Sequence, residues 1–422
     1  MWQEGAYIYP WRRWAVMDVF HLEEVVMVRY LVRFSAIVLA AVLAACASTA
    51  PTPSGKPEFM LVGVDNKVVF GDDGNLQLLP PGKDSVVIMD IGTDPAKPRI
   101  VANLPLMNSV VGPPTNLAIN PAGTLAIVAN SLDWVQDGAN WKFVPDNKLY
   151  VIDLTANPPA LIDTVAIGKQ PSGLSINPAG DLALVANRAD NSISVLAIQG
   201  KQVKLIDTVP MGEMVSAVVF TPDGKRALAA KFPGHKVAFL DVDGQKVTYG
   251  KRDVSVGLWP YNLGVSPDGK LALTGDNGNA GRSDGSVDTV TVIDIEANPP
   301  RVIDKVVVGD GPEGLAMSPT GRLAVPIILG GSDGPKNSWF YNRNGSVAVL
   351  KLDGKKVVKI GEVRVGGIPE GAVFSPDGRW LYVGNYVDKN VSVLRVDGDA
   401  LVDTGTVVAL PGSPASMRGR VQ

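Results

Sequence analysis

One frame recurs along this chain at near-constant spacing, and a repeat of that size limits the possible folds more than any other feature. Residues 168–187 read GKQPSGLSINPAGDLALVAN, and residues 366–385 read GGIPEGAVFSPDGRWLYVGN. The frame also starts at Pro114, Val215, Pro260 and Pro312, and a remnant sits at Pro414. Successive starts lie 57, 44, 45, 52, 57 and 45 residues apart, the length of one four-stranded sheet with its turns.

Residue chemistry predicts the strands within each unit. Leu174–Ile176 reads as a short first strand, and Asn177-Pro178-Ala179-Gly180, like Ser375-Pro376-Asp377-Gly378, reads as a Pro/Gly turn. Leu182–Ala186 is a continuous apolar run, as expected of a strand covered on both faces. A third strand follows, as in Ser192–Leu196 or Thr289–Ile293, and then a more polar outer one, as in Lys204–Val209. No helix signal of useful length appears after residue 58. Six full units occupy Pro114 to about Val408. Strand-like Phe59–Val64, Ser85–Ile91 and Arg99–Leu104 remain at one end and Pro414–Arg418 at the other. Joining those pieces into a seventh unit removes the unpaired sheet edges an open array would expose. The expected fold is all-β, a seven-bladed β-propeller whose ring closes between N- and C-terminal strands.

The same residues carry a family resemblance. Gly-x-x-Pro-x-Gly, then Ser/Asn-Pro-Asp/Ala-Gly, then Tyr382-Val383-Gly384-Asn385 or Val185-Ala186-Asn187, resembles the YVTN repeat of bacterial propellers. The recurring Gly-His and Trp-Asp signatures of WD40 repeats are absent. The wider superfamily includes sugar lactonases, cell-surface proteins and periplasmic binding or electron-transfer propellers, so the resemblance implies a fold without choosing an activity.

The N-terminal stretch reads as an address. Arg29 and Arg33 precede an apolar run, Phe34–Ala45, and Leu43-Ala44-Ala45-Cys46 resembles the cleavage site of a bacterial lipoprotein signal. Twelve residues are too few for the roughly 20 that span a bilayer, which favours a cleaved signal. Residues 1–26 carry Glu4, Asp18, Glu23 and Glu24 where a signal needs positive charge, so translation is expected to begin at Met27. The predicted order is an extension at 1–26, a signal peptide at 27–45, a Ser/Thr/Pro-rich tether at 46–57 and the propeller at 58–422. Cys46 would carry the lipid, with the body facing the periplasm. Ala47, in place of the Asp that typically retains lipoproteins in the inner membrane, points to the outer membrane. Cys46→Ser should move most of the protein out of the pelleted membrane fraction; an unchanged partition would contradict lipidation.

Several functions are disfavoured. Net charge is -3 with no Lys/Arg run in the body, which leaves no electrostatic footprint for nucleic acid. Cys46 is the sole cysteine, and His21 and His235 are the only histidines, so Cys- or His-based metal centres lack ligands. No cofactor motif is present. Asp276-Asn277-Gly278-Asn279 with Ser283 and Asp284, and Gly71–Asn75, offer calcium-type oxygens, but turn chemistry accounts for them equally well.

Candidate binding residues come from position. The residues just after each unit's Pro should line the channel mouth, which nominates Asn116, Tyr261, Asn262, Glu313 and Glu370. Only the fifth and sixth units place carboxylates there. The plain alternative is a solvated Pro-Glu-Gly turn. Long second-to-third-strand loops, 131–148 with Trp134, Trp141 and Phe143, and 330–344 with Trp339, Phe340 and Tyr341, could form an aromatic platform or pack on their own blades. His235 reads as a loop histidine. Two functions follow: an envelope protein that binds a small molecule or a protein partner, or a lactonase-like hydrolase with Glu313 or Glu370 as base and Tyr261 or Asn262 polarising a carbonyl. One histidine cannot supply a nucleophile-His-acid set, which favours binding.

Overall fold

The computed structural model describes residues 55–420; the expected signal, Cys46 and most of the tether lie outside the described residues. Seven four-stranded antiparallel sheets form a ring, their innermost strands adjacent in turn, and no helix occurs among the described residues. In the second blade the strands are Pro171–Ile176, Leu182–Asn187, Ser192–Gln199 and Gln202–Pro210. Burial falls from inside to outside: the first two strands are wholly buried, and the outermost is mostly exposed.

The repeated turn explains the first hairpin. Asn177 Oδ1 accepts from the backbone N–H of Leu182 at 3.1 Å, and Gly180 adopts φ 79°, a conformation costly for residues with a Cβ. Ser375 does the same work in the sixth blade, accepting from Trp380 N at 3.0 Å and donating to Asp377 at 2.6 Å. The core lies between blades. Leu184 and Val195 of the second blade pack with Ala227 and Leu240 of the third, and comparable clusters fill the other seams. Each continuous apolar run therefore serves two interfaces.

The ring closes as expected, by a C-terminal strand beside N-terminal ones. Ser413–Arg418 is innermost in the seventh blade, followed by Phe59–Asp65, Ser85–Asp90 and Arg99–Leu104. Met417, 1 % exposed, turns into the seam between the sixth and seventh blades.

The innermost strands begin earlier than expected and carry a shared irregularity. In blades two to six the pairing with the second strand shifts just after the repeat's first residue, so that Ser172, Ser216, Tyr261, Glu313 and Glu370 fall out of the ladder. A bulge leaves one residue unpaired and re-aims its side chain. Here that residue lies at the channel mouth.

Segment 131–148 is not a loop. The second and third strands of the first blade run on as Leu125–Asp137 and Asn140–Asp153, forming a long hairpin that turns at Gly138. Leu132-Asp133-Trp134 and Trp141-Lys142-Phe143 alternate apolar with polar and set their apolar residues on one face, a strand signal too short to stand out in the sequence. A second small hairpin, Val68–Phe70 with Leu76–Leu78, uses Gly71–Asn75 as its turn. Fully buried Lys67 anchors both hairpins. Its ammonium lies 3.3 Å from Asp65, bonds Asp84 and the Asn108 carbonyl, and sits 4.5 Å from the Trp134 ring.

Candidate functional site

A cavity of about 180 Å³ opens at the mouth, and Arg188, Tyr261, Glu313, Asp333 and Glu370 supply its polar wall. Tyr261, Glu313 and Glu370 are bulge residues of three consecutive blades. They were expected at the mouth; the surprise is their burial. Glu313 is 5 % and Glu370 3 % exposed, so the solvated-turn reading fails.

Their environment is buried and rich in carboxyls. Asn277 donates to Glu313 Oε2 at 2.9 Å. Burial first, and the nearby Asp333 second, push the Glu313 pKa up to about 8 against the pull of Asn277 and Arg188. Glu370 is driven well above the usual carboxylate range by burial, then by Glu313, Asp333 and Asp65; its Oε2 has no hydrogen-bond partner. Each carboxyl resists the ionisation of the other, and the Asn277 donor favours the anion at Glu313, while Glu370 Oε2 has no such donor. The Tyr261 phenol is pushed well above 10 by burial, next by Glu313, and stays a donor at neutral pH.

Arg188 and Arg282 provide the positive charge, and Arg282 Nη1 donates to the Gly74 carbonyl at 3.4 Å. Arg188 Nη1 donates to the Val111 carbonyl at 3.4 Å, its guanidinium lies 6.0 Å from the Phe232 ring centre, and its Nε has no partner. Asp333, in the 330–344 insertion, accepts from Ser283 N at 3.0 Å and leaves Oδ1 unpartnered. None of the three was singled out from sequence. A signal for Arg188 existed: it follows the second strand of its blade, at the position that carries Phe232, Asn277 and Leu329 in the next three. This outer set meets the bulge residues around the cavity.

Other nominated residues lie elsewhere. Asn116 donates to the Ala129 carbonyl at 2.7 Å and to Asn108 at 3.1 Å, while Asn262 Oδ1 accepts from Leu263 N at 2.7 Å; both are buried beside the channel without lining the cavity. Asn262 Nδ2 and the hydroxyls of Thr115, Ser172 and Ser416 are buried without protein partners. Trp134 packs under Lys67 and against Phe143 at 5.8 Å. Trp141 joins the same apolar cap. Trp339, 84 % exposed, stands edge-on to Phe340 at 5.6 Å, and Tyr341 follows in the same insertion; none of these aromatics lines the cavity. His235 accepts from Trp259 N at 2.9 Å and serves its loop. At the calcium-type positions, Asp276 accepts from Thr274, Thr289 and Thr291, and Asp73 accepts from Asn75, so those oxygens are engaged in turns and strands.

Residues 152–258 match the family model "Lactonase, 7-bladed beta-propeller". The chain has a lactonase-like propeller fold. Among solved structures, this propeller is similar to a periplasmic gluconolactonase of Pseudomonas aeruginosa, with TM-score 0.60 and 19% identity over 87% of this chain and 99% of that one. It is also similar to a candidate 6-phosphogluconolactonase from Bacteroides fragilis, with TM-score 0.64 and 18% identity over 89% and 100%. Hydrazine synthase of Kuenenia stuttgartiensis gives TM-score 0.56 and 20% identity over 74% and 90%. A search of curated protein sequences finds no match. At these identities the structural likeness concerns the fold alone.

Proposed function

We propose that this propeller hydrolyses a small lactone in the mouth cavity, a reading supported above all by two adjacent buried carboxyls, of which Glu313 is bonded by Asn277, facing an arginine. The lactonase family match over the second and third blades supports the same reaction class. A cavity of about 180 Å³ suits a single ring rather than a polymer. Arg188 and the Tyr261 hydroxyl polarise the carbonyl oxygen, which gains negative charge as the tetrahedral intermediate forms. Ionised Glu313 takes a proton from water as its oxygen bonds the carbonyl carbon. The ring C–O bond then breaks, and protonated Glu370 gives the leaving oxygen its proton. Glu313 returns its proton to Glu370 through the product or solvent, and one water has been added to give a hydroxy acid. Export and attachment through Cys46 belong to the same proposal and would place the activity on the periplasmic side.

The test is a panel of five- and six-membered sugar and aliphatic lactones, followed by acid release. Wild-type protein should turn over at least one member, and Arg188→Met should lose about 10²-fold or more in kcat/KM, the cost of one oxyanion donor. No hydrolysis above the spontaneous rate across the panel would overturn the proposal and return the mouth to ligand binding.

A further inference from the structure

The opposite end of the channel holds a larger cavity, about 510 Å³, lined by residues of all seven innermost strands. Its wall is mainly aliphatic and aromatic, including Leu174, Phe220, Leu263, Val265, Met317 and Phe374. Among the described residues two charged ones reach it, Arg418 and Arg420, and no carboxylate lines it. Arg420 is neutralised by Glu58 at 2.7 Å. Arg418 is partly buried, forms no ion pair or side-chain hydrogen bond with any described residue, and lines this cavity. Burial alone pulls its pKa down to about 10, so it remains charged at neutral pH.

Local structure forces this placement. Arg418 pairs with Leu61 at the end of the closing strand, and Met417 beside it is committed to the seam between blades six and seven. Strand alternation therefore turns Arg418 the other way, into the channel. Desolvating a charge without a partner is costly, and a guanidinium recovers the most when a planar carboxylate meets it through two parallel bonds. The surrounding wall offers apolar contact and few free polar groups: Thr221 Oγ1 is engaged with Asp223 and Arg226, and Ser175 Oγ lies 3.5 Å from the Ile176 carbonyl. A phosphate or sugar acid would leave most of its polar groups unpaired there.

We propose that the channel end opposite the mouth is a second binding site, which takes a monocarboxylate with an apolar body and fixes its carboxylate on Arg418. The site shares no lining residue with the mouth cavity, so its fate is independent of the hydrolytic reading.

Octanoate titrated calorimetrically into the full chain at low ionic strength provides the test, with 1-octanol and octylamine as matched probes. Octanoate should bind saturably, at least tenfold tighter than octanol, with octylamine weakest. Arg418→Met should weaken octanoate at least tenfold and leave octanol unchanged, while Arg418→Lys should keep part of the preference. Val265→Trp narrows the cavity and retains the guanidinium, so it should reduce octanoate and octanol together; this second variant keeps the test decisive if Arg418→Met misfolds. Equal affinity for octanoate and octanol, unchanged octanoate binding in either cavity variant, or no saturable binding would overturn the proposal.

Discussion

Deleting residues 410–422 should remove the folded monomer. The lost strand pairs with Phe59–Asp65 through five residue pairs and places Ala415 and Met417, each 1 % exposed, in the core. It also bridges to the first blade, where Met417 N donates to the Pro114 carbonyl and Arg420 pairs with Ile119. At about 1 kcal/mol per ladder bond and 2–3 kcal/mol for a buried methionine, the loss is on the order of 5 kcal/mol or more. That is a third or more of the roughly 5–15 kcal/mol that holds a domain together. Removal also bares one edge of Phe59–Asp65, an invitation to intermolecular pairing. Size-exclusion chromatography with thermal melting reads the result: aggregates and no cooperative transition are expected. A truncated monomer with wild-type melting would mean that the closing strand contributes little.

Glu313→Gln should lower lactone kcat about 10²- to 10⁴-fold, the range for removing a general base. The wild-type rate should rise with pH through about 8 as Glu313 gives up its proton. Glutamine keeps an acceptor for Asn277 and removes the titration, so any residual activity should lose this limb. Stability should move in the opposite sense. The folded-state pKa is raised, so stabilisation is complete below the ordinary glutamate pKa of 4.5 and is lost as pH climbs through about 8. The fall in melting temperature between pH 5 and pH 8 should therefore shrink in Glu313→Gln. A variant with full activity and an unchanged pH profile would remove Glu313 from the chemistry, and equal melting losses in both proteins would mean the carboxyl is not buried in its neutral form.

What could be read from the sequence was local. Asn177 and Ser375 announce their turns because each binds backbone a few residues away, and Leu182–Asn187 announces its burial because both faces are apolar. Ring closure was legible because an incomplete seventh unit had one obvious completion. Lys67 was not legible: Asp65 stands two residues before it, but its other partners, Asp84 and the Asn108 carbonyl, lie 17 and 41 residues away. Arg188 and Asp333 reach the mouth from different blades, and their nearness to Glu313 exists only after the ring has formed. Trp134 was conspicuous for its aromatic ring, yet its place is set by a buried ammonium that sequence spacing does not reveal. The mouth carboxyls were found by position, while their burial depended on insertions from the fourth and fifth blades, which supply Arg282 and Asp333 to the same cavity.

The out-of-register residue near the start of each inner strand also bears on how such a protein changes over time. Ser172, Ser216, Tyr261, Glu313 and Glu370 differ widely in size and charge, yet the strands that carry them keep matching ladders on either side of the irregularity. A side chain outside the ladder can be exchanged without breaking a strand pairing, so chemistry and architecture draw on separate positions. The ring thus offers a set of interchangeable sockets around one opening. Mutational libraries confined to these sockets should yield mostly folded variants with altered mouths, whereas equal diversity one residue further along, at Gly173, Gly314 or Gly371, would collide with the neighbouring blade.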